Sequence, residues 1–83
     1  MRRKEMSDAF ALALWQRRVK KALSQERLAE KSDLHPTYIG LLERQLRNPS
    51  LNVAKKLARA LDVSLSRLIA DAEALQRKVK SKK

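Results

Sequence analysis

The side chains of this 83-residue chain offer little chemistry for catalysis. Its one histidine, His35, stands beside Pro36 and belongs to no catalytic or metal-binding motif with an acidic partner. There is no cysteine to act as a nucleophile or thiolate ligand, no glycine-rich phosphate loop and no H-E-x-x-H pair. A lone histidine makes neither a catalytic triad nor a metal centre. We therefore expect a protein that is not an enzyme and that uses no cofactor or metal.

The sequence is better suited to binding than to catalysis, because it is rich in positive charge. The formal net charge is +11, which favours a polyanionic partner, most commonly nucleic acid. Residues 5–76 carry twelve bases against all nine acids, so the body of the chain is only +3. Because a basic tail can simply be a solvated segment, charge alone does not identify the partner. The other eight bases lie near the two ends: Arg2, Arg3, Lys4, Arg77, Lys78, Lys80, Lys82 and Lys83.

Length and composition fit one small globular domain. Apolar residues make up 43% of the chain, enough for a core, but a domain this short is only marginally stable alone, so dimer formation would help. No apolar run approaches the roughly 18 residues that a membrane span needs. The charged start lacks the apolar block of a secretory peptide. We expect a cytoplasmic protein with no membrane contact.

The hydrophobic periodicity predicts an all-α protein, a compact bundle of five helices. The first helix is expected from about Asp8, its N-cap, to Leu23, with Val19 on its inner stripe. The second ends near Ser32, and the third begins at His35-Pro36, since proline costs nothing at the first helical position. The predicted N-caps of the second, fourth and fifth helices are Ser24, Ser50 and Ser64.

The fifth helix repeats apolar residues at 3-4-3-4 spacing. Two interpretations fit this pattern: the seam of a coiled coil, or the inner face of an ordinary core helix. Residues from Arg77 onward are expected to be frayed. The repeating residues are Leu65, Leu68, Ala72, Leu75 and Val79.

The segment from Gln25 to Glu43 has the spacing of a helix-turn-helix. Ala29 is small enough to let two helices cross closely, and Asp33 stands at the turn position that must tolerate a left-handed backbone. Leu28, Leu34, Ile39 and Leu42 are the apolar residues expected to lock the crossing.

Residues 10–69 resemble the phage-repressor/Cro family of transcription regulators, also called the Xre family. Residues 34–39 are also similar to the controller proteins of restriction–modification systems. The resemblance implies a lambda-repressor-like fold with the third helix in the DNA major groove, and a nucleoid-associated protein of prokaryotic or phage origin. It is carried by Ser24-Gln25, Leu28-Ala29, Tyr38-Ile39, Leu42-Glu43-Arg44, Arg47-Asn48-Pro49-Ser50, Leu57-Ala58, Ala60-Leu61, Val63-Ser64 and Leu68-Ile69.

The resemblance also implies roles for individual residues. His35 fits a helix N-cap as well as a base reader, Tyr38 could pack on the core instead, and Arg47 could be a solvated loop charge. No Gln, Asn or Arg on this face offers bidentate base bonds, so DNA shape is expected to contribute to recognition. The base-reading candidates are His35, Pro36, Thr37, Tyr38 and Leu41; the phosphate candidates are Gln25, Arg44, Arg47 and Asn48; Arg18 and Glu43 form a structural ion pair.

The expected organisation is a basic arm at 1–7, a helix-turn-helix domain at 8–75 and a basic tail at 76–83. The expected function is transcription regulation as a homodimer on double-stranded DNA with a pseudo-palindromic operator. Two alternatives stay open: an antitoxin whose main partner is a toxin, and non-specific coating of nucleic acid by the basic tails. The predicted dimer residues are Leu65, Leu68, Ile69 and Leu75.

Overall fold

Five α-helices account for most of the chain. A computed structural model describes residues 5–81, with side chains described for 5–78. Within these residues there is no strand, which confirms the predicted all-α bundle. The helices are α1 (Met6–Lys20), α2 (Gln25–Ser32), α3 (Pro36–Glu43), α4 (Leu51–Ala60) and α5 (Leu65–Ser81).

The start of α1 differs from the prediction. The N-cap is Glu5 and not Asp8, and the helix begins at Met6. Asp8 lies inside the first turn, where its carboxylate accepts a hydrogen bond from the Glu5 backbone N–H at 3.2 Å. An acidic side chain can accept from a free backbone N–H either as the N-cap or from the third helical position. The sequence does not distinguish these two placements of Asp8, and the predicted start of α1 is therefore too late. The predicted inner position of Val19 is also wrong, because 48% of this residue is exposed.

The other predicted caps are confirmed. The hydroxyl oxygens of Ser24, Ser50 and Ser64 accept from backbone N–H groups three residues on, at 2.9, 3.1 and 3.0 Å. Each bond satisfies one of the helix's unpaired donors. These caps fix where α2, α4 and α5 start.

The core lies where all five helices meet, and α5 contributes its apolar face to it. Leu68 and Ala72 are completely buried within the single chain, and α5 packs mainly on α1. From Leu65 to Leu75 the 3-4-3-4 pattern is therefore a core face, and the side chain of Val79 lies outside the described residues. The prediction of Leu68 as a dimer residue is wrong, because this side chain is fully buried within the chain. The helix continues to Ser81, four residues beyond Arg77, where fraying was expected to begin; residues 82–83 lie outside the described residues. The largest fully buried side chains are Leu14, Leu28, Ile39, Leu42, Leu57, Leu61 and Leu68.

No helix in the described range combines the length and apolar character that would let it cross a membrane. The same residues contain no group of three or more His, Asp or Glu side chains placed to hold a metal ion.

Candidate nucleic-acid interface

The α2–turn–α3 unit has the geometry that its sequence requires. Asp33 ends α2 in a left-handed conformation, with φ 60° and ψ 44°. Ala29 is 1% exposed, while Leu28, Ile39 and Leu42 are at most 2% exposed. Burial of these side chains locks α3 against α2, and Thr37 of α3 stays on the surface.

The start of α3 carries the predicted base-reading side chains. His35 is the N-cap: its Nδ1 accepts from the Thr37 backbone N–H at 3.1 Å, so only Nε2 is left for an outside contact. Thr37 is exposed, whereas Tyr38 and Leu41 are half-buried and Tyr38 packs against the core. Thr37 is thus the most accessible of the base-reading candidates in α3.

The phosphate candidates fall into two groups. Gln25 is the first residue of α2, beside free N–H groups and the positive end of the helix dipole. Arg44, Arg47 and Asn48 are exposed and directly follow the C-terminal end of α3. The Arg44 Nε donates to the Gly40 carbonyl at 3.4 Å. The phosphate candidates therefore come from two segments that adjoin the recognition helix, the start of α2 and the loop after α3.

An open cleft joins the N-terminal ends of α2 and α3. It brings Gln25 and Thr37 to one surface, which the sequence pattern alone did not require. It also includes an acid, Glu26, that sequence reasoning missed; its place in the first turn of α2 was the available signal. The lining residues are Arg18, Ser24, Gln25, Glu26, Pro36 and Thr37.

The predicted partners Arg18 and Glu43 are in contact behind this cleft. The Arg18 Nε and Nη2 donate to the two Glu43 carboxylate oxygens at 2.7 and 3.0 Å, a bidentate pair. Their side chains are 13% and 5% exposed. The Arg18 Nη1 also donates to the Leu23 carbonyl at 2.8 Å. One guanidinium thus ties α1, the turn before α2 and the end of α3 together.

A third side chain joins this pair. The Gln25 Nε2 donates to Glu43 Oε1 at 2.9 Å, so the first residue of α2 is bonded to the last residue of α3. The family resemblance implies separate roles for these two residues, a phosphate contact for Gln25 and a structural ion pair for Glu43. The spacing gave no signal for this bond, because it depends on how closely the two helix ends approach.

Fold and site together define a helix-turn-helix protein. The helix-turn-helix family model HTH_3 matches residues 16–68, and the chain belongs to this family. Membership confirms the predicted resemblance to the Xre-type regulators.

Two curated relatives carry the finer similarity. The chain is 53% identical over 47 residues to control protein C.SmaI of Serratia marcescens, which covers 57% of this chain and 56% of that protein. It is 50% identical over 44 residues to control protein C.BamHI of Bacillus amyloliquefaciens, covering 53% and 54%. The chain thus matches about half the length of these relatives.

Solved structures agree with this assignment. The restriction-modification controller protein C.AhdI from Aeromonas hydrophila has a TM-score of 0.72 and 44% identity, covering 75% of this chain and 94% of that one. The clp gene regulator ClgR from Corynebacterium glutamicum superposes with a TM-score of 0.88, covering 94% and 83%. At 24% identity, ClgR shows the shared fold alone. C.AhdI bears out the predicted similarity to controller proteins.

Proposed function

We propose that this protein is a sequence-specific DNA-binding transcription regulator, of the controller type, acting in the cytoplasm on nucleoid DNA. The observation that carries the proposal is the cleft shared by the N-terminal ends of α2 and α3. It places a hydroxyl side chain able to read a base edge, Thr37, beside a helix N-terminus suited to a phosphate, with Gln25 as its first residue. The control proteins related to this chain support the same function.

In this proposal α3 lies in the major groove. Thr37 contacts base edges or a thymine methyl, with His35 Nε2, Pro36, Tyr38 and Leu41 around it. Gln25 meets the phosphate backbone on one side of the groove, and Arg44, Arg47 and Asn48 meet it on the other. These contacts position the helix, while the few base contacts and the shape of the duplex supply specificity.

The proposed regulator acts as a homodimer. Leu65, Ile69 and Leu75 are half-buried on α5 and are the remaining candidates for the contact between copies, Leu68 being part of the core. A two-fold dimer would place its recognition helices about 34 Å apart, one turn of duplex, and would select a pseudo-palindromic site.

Selection of binding sites from random duplex, followed by footprinting, tests the proposal. The expected result is an enriched pseudo-palindrome with half-sites centred about 10 base pairs apart. The Thr37→Ala variant, selected in parallel, should enrich a site with a relaxed position in each half. Failure of the wild-type protein to enrich any sequence would refute sequence-specific binding. Enrichment of a single half-site would refute only the homodimer and would leave sequence-specific binding intact.

A further inference from the structure

Glu43 holds two side chains with one carboxylate. Its Oε1 accepts from Arg18 Nη2 at 3.0 Å and from Gln25 Nε2 at 2.9 Å, and its Oε2 accepts from Arg18 Nε at 2.7 Å. The Glu43 side chain is 5% exposed, so water competes little for these bonds. Arg18 fixes the carboxylate on one side, and the carboxylate in turn faces Gln25.

This contact determines which way the Gln25 amide points. A carboxylate can only accept hydrogen bonds, so the amide must turn its NH₂ group toward Glu43 and its carbonyl oxygen away. Consistently, the Gln25 Oε1 lies over Gly40, 3.5 Å from the position that a Cβ on this glycine would take. The reversed amide would place two oxygens against each other.

The orientation matters because a phosphate is an acceptor. Nε2 carries two hydrogens, and within the described residues only Glu43 accepts one of them. The second N–H remains for an acceptor outside the chain, at the rim of the cleft beside the N-terminus of α2. With the amide reversed, an oxygen would meet the phosphate and repel it.

We propose that Glu43 is a positioning residue for DNA binding: it holds the Gln25 amide with its N–H groups, not its oxygen, available to a backbone phosphate. The inference rests on the proposed function, because it needs Gln25 to contact DNA. It gives Glu43 a role beyond the structural pair with Arg18, although the carboxylate itself touches no DNA.

The direction in which Glu43→Ala changes DNA affinity distinguishes a positioning role of Glu43 from a simple effect of its charge. Glu43→Ala removes a negative charge from the DNA-facing part of the molecule, so simple electrostatics predicts tighter binding. Loss of positioning predicts weaker binding. The affinity of Glu43→Ala for the selected operator therefore distinguishes the two effects by direction.

The test is a double-mutant cycle with Gln25→Ala, measured on the selected operator at one salt concentration. We expect Gln25→Ala and Glu43→Ala each to weaken binding roughly tenfold, the scale of one hydrogen bond to a charged group. The double variant should bind no more weakly than either single variant. The control is Asp71→Ala, which removes the partner of the adjacent residue Arg17 (2.7 Å) and should leave affinity unchanged.

Thermal melts must show that each variant is folded at the binding temperature. If Glu43→Ala is not folded at that temperature, the double variant Arg18→Met/Glu43→Leu takes its place. It removes the same hydrogen-bond acceptor, keeps the net charge and fills the site with apolar side chains. Its control is Arg17→Met with Asp71→Leu.

Three outcomes would overturn the inference: tighter binding by Glu43→Ala, an equal loss in the Gln25→Ala background, or no effect of Gln25→Ala. In each of these the wild-type protein still binds its operator and the proposed function stands. If the wild-type protein selects no operator, the proposed function fails and the inference fails with it.

Discussion

The backbone N–H of Leu34 donates a hydrogen bond to the carbonyl of Ala29 at 2.9 Å, because Asp33 before it has a left-handed backbone. The same closure ends α1, α3 and α4, where the residue after the left-handed one bonds back five positions. This helix ending usually has glycine at the left-handed position, because glycine has no Cβ to clash at positive φ. Here the left-handed residues are Ala22 (φ 58°), Asp33 (φ 60°), Gln45 (φ 65°) and Asp62 (φ 62°).

Ala22→Gly should stabilise the protein. An L-residue with a Cβ costs about 1–2 kcal/mol in the left-handed region, and the greater freedom of glycine in the unfolded chain offsets part of that. We expect the free energy of unfolding to rise by about 0.5–1 kcal/mol, measured by urea denaturation. The control is Ala70→Gly, at an exposed interior position of α5, which should lower stability by about 1 kcal/mol. A loss of stability in both variants would contradict the strain at Ala22.

These helix ends show what the sequence could and could not predict about the fold. The serine caps and the turn at Asp33 were predictable, because each depends on a local interaction between neighbours. The first turn of α1 was not, since Asp8 closes it from inside the helix. The role of Leu68 was not either, because a 3-4 apolar repeat looks the same whether the face packs on α1 or on a second chain.

The candidate site was also predictable only in part. The family resemblance indicated Arg18 with Glu43, which the structure places in contact. The bond from Gln25 to Glu43 joins residues 18 positions apart and depends on the approach of two helix ends, which spacing does not specify. The inclusion of Glu26 in the cleft likewise follows only from the crossing of α2 and α3.

The pair of Lys21 with Asp62 predicts a pH dependence. The hydrogen bond from Lys21 Nζ at 2.6 Å, and then the charge of Lys21, lower the pKa of Asp62 below its ordinary 3.8. In acid the unfolded chain therefore binds the proton more readily than the folded one. The stabilisation is present above pH 3.8 and is lost as the pH falls through the lowered pKa. It is small, because both side chains are exposed.

Urea denaturation midpoints between pH 2 and 6 check this dependence. Asp62→Asn should lose a component of the acid-side decline, and Lys21→Gln should lose the same component because it removes the other partner. Parallel curves for the wild-type protein and both variants would show that the pair contributes nothing in solution.

Thr37→Ala and Arg47→Ala should weaken DNA binding in different ways. Loss of a base contact at Thr37 should cost roughly 1–3 kcal/mol on the operator and relax one position of the site. Loss of a phosphate contact at Arg47 should weaken binding to all sequences and reduce the salt slope by about one. Titrations on operator and scrambled duplex at several salt concentrations measure both. An identical loss on both duplexes from both variants would contradict the assignment.

Glu26→Gln should strengthen DNA binding. The Glu26 carboxylate lies in the cleft proposed to receive a phosphate, and unit charges about 6 Å apart in water repel by roughly 0.7 kcal/mol, about threefold in affinity. The gain should shrink as salt screens the charges. The matched control is Glu73→Gln, which makes the same charge change at an exposed position of α5 outside the cleft. Equal gains from both variants would indicate a general charge effect, and would argue against a phosphate near the start of α2.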